Sequence, residues 1–360
     1  MNLMLLKVKS FRNIKDAAIR FSEEINIITG LNSAGKTNLV EAAGLILTGC
    51  SIRKARSAEM IGFNYNEAYV DGIFKNGGVN HKSETYIGHN GKQVFLDGKF
   101  VKSIMELTKK SKCLFFSNLE LLFFTGTPEI RRHFVAEWII QYEPSYIELS
   151  RKYRRILKER NAVLQKGYKN SEKIVWDEEL IKAGVEIIQY KEKFLKILNT
   201  ELNDVIPKIF DIKGSFSLRY KPNVADKEAF IKKIEEAEKM EKYYKTTITG
   251  PHRDDFIPEI NGRDTRRFGS EGERKSFLIG VKLSLYRLIE ERYNVKPVFI
   301  MDDFDSRMDI KRREGLLHFF AAEGGQFFLT TPLDTINQIS FRDKNYINMV
   351  NGAAYTEGCI

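Results

Sequence analysis

The stretch that constrains this chain most is residues 25 to 48. An apolar, β-branched run, Ile25-Asn26-Ile27-Ile28-Thr29, leads into Gly30-Leu31-Asn32-Ser33-Ala34-Gly35-Lys36-Thr37, and an apolar-periodic run continues to Thr48. Strand, Gly-x-x-x-x-Gly-Lys-Thr loop and helix, in that order, make a P-loop. Gly30 and Gly35 let the backbone turn so that N–H groups point inward along Leu31, Asn32, Ser33 and Ala34. Lys36 adds a cation for the outer phosphates, and the Thr37 hydroxyl is a Mg²⁺ ligand. The alternative, a glycine loop that binds nothing, leaves the flanking strand and helix unexplained.

A second apolar strand, Val298-Phe299-Ile300-Met301, ends in Asp302-Asp303. A buried strand that delivers acid at its C-terminal end is the Walker B arrangement. Asp302 is placed to hold the Mg²⁺ shell through water, and Asp303 to orient or deprotonate an attacking water. Near the N-terminus, residues 3 to 9 and 18 to 21 read as strands joined through Ser10-Phe11-Arg12-Asn13. That link is a plain β-turn, or Arg12 and Asn13 are nucleotide contacts at the edge of the sheet whose end carries the P-loop. Thr330-Thr331-Pro332, after the Gln326 to Leu329 strand, reads equally as a helix cap or as a γ-phosphate sensor.

Phe268-Gly269-Ser270-Glu271-Gly272-Glu273-Arg274-Lys275-Ser276 opens a helix that runs through Glu290. Ser270 and Glu273 have the spacing of a capping box. Gly272 asks for more, because glycine in a first turn costs up to ~1 kcal/mol and lets something approach the backbone. Ser-x-Gly ahead of a helix and of Walker B is the spacing of the ABC-ATPase signature, which a second subunit lays over the γ-phosphate.

With 42% hydrophobic residues over 360 positions, the chain can bury a two-domain core or one α/β domain with an insertion. Lys+Arg of 58 against Asp+Glu of 48 leaves a formal charge of +10, which favours a polyanionic partner without requiring one. Cys50, Cys113 and Cys359 and the five scattered histidines show no metal-ligand spacing. Unpaired thiols fit a reducing cytoplasm, and no uncharged run approaches the ~18 residues of a membrane span.

Strands at 69 to 75, 84 to 87 and 93 to 96, the last two joined at Asn90-Gly91, predict an antiparallel layer. Cys113-Leu114-Phe115-Phe116 predicts a core strand. From Thr127-Pro128, a cap with proline at N1, the chain is nearly free of Gly and Pro to about residue 205, so a helical arm is expected. A strand at 215 to 220 and a charged helix at 227 to 244 follow. The expected fold class is α/β: an ABC-ATPase-like P-loop head (residues 1–125 and 248–360) with an antiparallel β layer, plus an inserted, mainly helical arm (126–247). Arg131, Arg132, Arg151, Lys152, Arg154, Arg155, Lys158, Arg160, Lys166 and Lys169 make the arm the most basic segment. Arg151, Arg154, Arg155 and Lys158 share one helical face and are candidate DNA-phosphate contacts; a solvated face or an acidic protein partner is the alternative.

On these residues the chain resembles the bacterial RecF family, recombination-mediator ATPases related to the SMC and ABC ATPases. The likeness takes in Ser10 to Asn13, the P-loop with Thr37 to Ala42, Phe115-Phe116-Ser117, Gly126 to Arg132 and Pro144-Ser145-Tyr146. It continues through Lys158 to Asn161, Gly250-Pro251-His252-Arg253-Asp254-Asp255, Phe268-Gly269-Ser270 and Asp302-Asp303, nearly end to end. The resemblance implies an ATP- and Mg²⁺-dependent homodimer that binds DNA. It would act at gaps with RecO and RecR in loading RecA, in recombinational repair and replication and linked to the SOS response.

Glu273-Arg274 stand where the family usually shows glutamines, Arg307 replaces the usual acid, and Asp305 stands where an apolar residue is usual. Glu271 and Glu273 beside a γ-phosphate repel it unless Arg274, Lys275 or Arg307 compensates. A slow, DNA-stimulated ATPase switch is therefore expected rather than a fast motor. An SMC-type DNA-end-processing ATPase would need far longer heptad arms. A transporter ATPase subunit has no use for so basic an arm, and a small-molecule P-loop kinase needs no signature.

Overall fold

The computed structural model describes residues 1–167, 170–306, 308–332 and 343–357, without the side chains of 170, 171 and 357. Lys169, Arg307 and Cys359 lie outside the described residues.

The chain opens with β1 (Asn2–Phe11), β2 (Ile14–Arg20), β3 (Ile25–Thr29) and α1 (Lys36–Thr48). A run of strands follows: β4 (Glu67–Asn76), β5 (Val79–Gly88), β6 (Gly91–Leu96), β7 (Lys99–Phe100) and β8 (Cys113–Phe116). Next come α2 (Pro128–Tyr142), α3 (Tyr146–Lys166), α4 (Asn170–Phe210), β9 (Phe216–Lys221), α5 (Lys227–Tyr244), β10 (Asp255–Ile260) and β11 (Arg263–Asp264). The chain closes with α6 (Glu271–Tyr293), β12 (Val298–Met301), α7 (Ile310–Glu323), β13 (Phe327–Thr330), β14 (Lys344–Val350) and β15 (Ala353–Glu357).

These elements form two compact units. The first holds Met1–Glu120, Val205–Ile212 and Lys275–Ile360; the second holds Leu121–Asp204 and Lys213–Arg274. In the first, an antiparallel sheet of order β2-β1-β4-β5-β6-β7 faces a sheet of order β15-β14-β3-β13-β12-β8 across α1. β3, β8, β12, β13 and β14 of the latter run parallel. α1 is apolar nearly all round because both sheets cover it. Leu39, Val40, Leu45 and Ile46 share one core with Leu3, Leu6 and Val8 of β1 and with Ile28, Ile300 and Phe328. Buried Gln326 joins the two layers. Its side-chain amide accepts from the Leu3 N–H at 2.7 Å and donates to the carbonyls of Leu3 at 2.8 Å and Ser22 at 2.7 Å.

The second unit is helical with a small antiparallel sheet, β11-β10-β9. Residues 248–274, expected with the head, pack here instead, because β10 pairs with β9 from Asp255↔Lys221 to Ile260↔Phe216. The Gly250 to Asp255 run anchors that packing. Buried Asp254 accepts from Lys191 Nζ at 2.7 Å, from the Asn223 N–H at 2.7 Å and from the Tyr220 hydroxyl. Asp255 takes the Arg131 guanidinium in two bonds, 2.6 and 3.1 Å long. Thr127 precedes α2 as expected with Pro128 at N1, but its hydroxyl makes no cap bond.

Candidate nucleotide site

All five residues of β3 are buried, and the strand, held between β13 and β14, delivers the chain into the P-loop. Gly30 has φ 138° and Gly35 φ 115°, a region open to glycine and strained for other residues. Space forbids a side chain too: a Cβ on Gly30 would lie 2.4 Å from the Met349 carbonyl oxygen. The loop closes on an Ala34 N–H bond to the Leu31 carbonyl at 3.1 Å. α1 then starts with no side-chain cap and no acid in its first turn, leaving its terminal N–H groups for an anion. Lys36 is buried and its ammonium arches back, donating to the carbonyls of Gly30 at 2.7 Å and Leu31 at 3.1 Å.

The ends of three parallel strands meet beside this loop. Thr37 Oγ1, just past the P-loop glycine, donates to Asp302 Oδ1 at 3.0 Å, and Thr330 Oγ1 at the end of β13 donates to the same oxygen at 2.6 Å. Burial pushes the Asp302 carboxyl above its ordinary range and neighbouring Asp303 adds to this, while the two threonine bonds and the charge of Arg53 oppose it. A buried carboxylate and a hydroxyl at this spacing suit Mg²⁺, which binds through one or two protein oxygens and completes its shell with water and phosphate. Among the described residues no group of three or more His, Cys, Asp or Glu could hold a metal. An ion on Thr37 and Asp302 would therefore depend on its substrate's oxygens.

Asp303 sits at φ 53°. Its N–H donates to Thr330 Oγ1 at 2.8 Å, and its carbonyl accepts from Lys275 Nζ at 3.4 Å. The backbone is thereby fixed, while its carboxylate makes no hydrogen bond or ion pair among the described residues and can receive a water. Asp305, out of family pattern, accepts from the Thr331 hydroxyl at 2.8 Å and so braces the turn after Walker B. The cap reading of Thr331-Pro332 extends into residues 333–342, outside those described.

The signature segment behaves locally as a capping box. The Ser270 N–H donates to Glu273 Oε2 at 2.8 Å and the Glu273 N–H returns a bond to Ser270 Oγ at 3.3 Å. Ser270 and Gly272 belong to the second compact unit, and the P-loop and Asp302 to the first. Of the expected compensating cations, Arg307 lies outside the described residues, and Arg274 and Lys275 are engaged elsewhere. Arg274 donates to the carbonyls of Thr265 at 3.1 Å and Arg266 at 2.8 Å. Lys275 is wholly buried, and its ammonium also caps the Ser306 carbonyl. Tertiary carbonyl acceptors decide both placements, and helical position cannot show them.

Arg12 and Asn13 do flank the loop, in different ways. Asn13 Nδ2 donates to the Ser33 carbonyl at 3.2 Å, and its Oδ1 accepts from Asn38 at 2.8 Å, bracing the P-loop. Arg12 takes both carboxylate oxygens of buried Glu41, each at 3.1 Å. Its guanidinium is the counter-charge of an acid inside α1. Arg53 escaped the sequence reading: it donates to Asn38 Oδ1 at 3.1 Å, and its charge is felt at Asp302. The available signal was the cation cluster Arg53, Lys54 and Arg56 just after the P-loop helix.

On α3 the basic run divides. Arg151, Lys152, Arg154, Arg155 and Lys158 are exposed, whereas Arg160 is fully buried. Arg160 pairs with Asp177 and Glu241, both at 2.6 Å, and donates to Thr247 Oγ1 at 2.8 Å. Arg131, bonded to Asp255, likewise leaves the basic surface.

Residues 2–348 match the RecF/RecN/SMC N terminal domain family. The DNA replication and repair protein RecF of Geotalea daltonii is 29% identical over 94% of this chain and 95% of its own. That of Lachnoclostridium phytofermentans is 31% identical over 87% of this chain and 88% of its own. The solved structure of the recombination mediator protein RecF-ATP in the RecFOR pathway superposes with TM-score 0.89 at 26% identity, covering 99% of this chain and 97% of that one. The Smc head domain of Pyrococcus furiosus shares the fold at TM-score 0.57 and 14% identity, covering 99% of this chain and 95% of that one. The mixed α/β architecture is thus that of the RecF and SMC heads, of ABC-ATPase type. On its sequence match and its relatives, this chain belongs to the RecF family.

Proposed function

We propose that the chain is an ATP-dependent DNA-binding protein of replication and recombinational repair, in which ATP closes a homodimer over DNA. The observation that carries this is the Thr37–Asp302–Thr330 cluster, gathered from the first turn of α1 and the ends of β12 and β13 beside a P-loop that opens α1 without a side-chain cap. Mg²⁺ held by Thr37 and Asp302 supplies positive charge for the β- and γ-phosphate oxygens. Residues Gly30 to Thr37 cradle the phosphates, Lys36 turns from the loop carbonyls onto them, and Asp303 holds the attacking water. Ser270 and Gly272 of a second copy close over the γ-phosphate. Hydrolysis is slow, because Glu271 and Glu273 stand at that closure while Arg274 and Lys275 are bonded elsewhere. Exposed Arg151, Arg154, Arg155 and Lys158 meet DNA phosphates. The RecF likeness supports action with RecO and RecR in loading RecA, an SOS link and a cytoplasmic site.

Sedimentation with ATP, with ADP and without nucleotide tests the reading, alongside DNA retention in the same three states. A dimer and tighter DNA retention with ATP alone are expected; indifference to nucleotide overturns it. Ser270→Arg places a long cation at the closing surface, so this variant should bind ATP as the monomer does yet fail to dimerise. A normal ATP-driven dimer in that variant leaves Ser270 as the capping residue only.

Replacing Arg151, Arg154, Arg155 and Lys158 together with alanine should weaken DNA binding at least about tenfold at moderate salt, equally for all sequences. It should also flatten log K against log salt by roughly one unit for each phosphate no longer neutralised. ATP affinity stays as in the wild type. An unchanged salt slope with loss of an acidic protein partner would assign this face to protein.

A further inference from the structure

We propose that Tyr243 and Tyr244, at the end of α5, form a stacking platform for the bases of single-stranded DNA. The inference rests on the DNA binding proposed above and adds base contacts on α5 to the phosphate contacts of α3.

α5 is amphipathic. Phe230, Ile234, Ala237 and Glu241 are turned inward and buried, with Glu241 neutralised by Arg160 at 2.6 Å. In the last turn Tyr243 points away from that face and Met240 and Tyr244 flank it; Met240, Tyr243 and Tyr244 are 48%, 78% and 56% exposed. The two rings meet edge to face, centroids 5.1 Å apart, and no described residue hydrogen-bonds either hydroxyl. Adjacent aromatics this exposed offer open π-faces, and an exposed apolar patch marks a binding surface.

The charges around them select the occupant. From Lys239 to Lys245 the chain reads Lys-Met-Glu-Lys-Tyr-Tyr-Lys; all three lysines are exposed and the single acid is the inward Glu241. Lys245, at φ 52°, ends the helix in a left-handed turn. The next exposed acid back along the helix is Glu238. Cations alternating with aromatic faces let a strand's phosphates and bases bind together, and stacking is indifferent to sequence because every base has a π-face. A duplex keeps its bases stacked on each other and offers this platform only its ends.

The test is fluorescence anisotropy of the full chain with labelled oligo-dT and with a duplex of the same length, in the presence of ATP. Tyr243→Ala with Tyr244→Ala should lose about tenfold or more in affinity for oligo-dT. Duplex affinity and the salt slope should stay as in the wild type, since every phosphate-facing cation is kept. Tyr243→Phe with Tyr244→Phe should bind oligo-dT as the wild type does. Because the tyrosines lie in the second unit and the P-loop in the first, an unchanged far-UV circular dichroism spectrum and melting temperature show that each variant is folded. A parallel loss on duplex overturns the proposal. So does an unchanged oligo-dT affinity, which would assign the exposed tyrosines to a protein partner. A wild type that binds neither DNA form would instead sink the parent reading.

Discussion

Lys36→Ala should lose tight ATP binding, with Kd rising by at least about a hundredfold. Lys36 is the P-loop's own cation, and a hydrogen bond to a charged group contributes about 1.5–3 kcal/mol, so two phosphate contacts exceed the roughly 2.7 kcal/mol that a factor of a hundred requires. The fold should survive. The ammonium's present partners are the part-buried loop carbonyls of Gly30 and Leu31, and water entering the site can replace it there. Titration with a labelled ATP analogue reads the loss, and ATP should raise the wild type's melting temperature but not the variant's. Wild-type affinity in the variant would make the loop a structural turn.

Asp303→Asn should cut single-turnover hydrolysis by about 10²- to 10⁴-fold, the range a general base contributes, while ATP affinity stays near wild type. The amide can still orient a water but cannot take its proton. Because the backbone of Asp303 is held through Thr330 and Lys275, the substitution changes the side-chain chemistry and leaves the turn in place. The closed dimer should accumulate and stay longer on DNA. Unchanged turnover would remove Asp303 from the base role.

Where local rules decide, the sequence was readable. The P-loop, the strand ending in Asp302-Asp303, the turn before Gly91, the Ser270 capping box and the helix from Lys227 to Tyr244 stand where glycine, alternation and caps put them. Arg160 was half readable. The 3.6-residue period sends it to the side of α3 opposite Arg151, away from the exposed cations. Its acids, Asp177 and Glu241, come from two other helices and could not be foreseen. Arg12 shows the same limit, since nothing near it in sequence announces the buried Glu41. The allotment of residues 248–274 to the second unit also depended on a pairing, β9 with β10, that bridges a whole helix.

The position of β3 bears on how the molecule comes into being. Both its neighbours in the sheet, β13 and β14, begin about 300 residues later in the chain. At a synthesis rate of about 5–20 residues per second, this apolar strand waits roughly 15–60 s on the ribosome before either partner emerges. Its backbone donors and acceptors stay unpaired meanwhile, and the loop that must close is among the longest the chain could offer. The buried asparagine in its second position, Asn26, is satisfied within four residues by the backbone of Ser22. A polar group placed there makes the waiting strand a poorer template for a neighbouring nascent chain than an unbroken Ile-Val run would be.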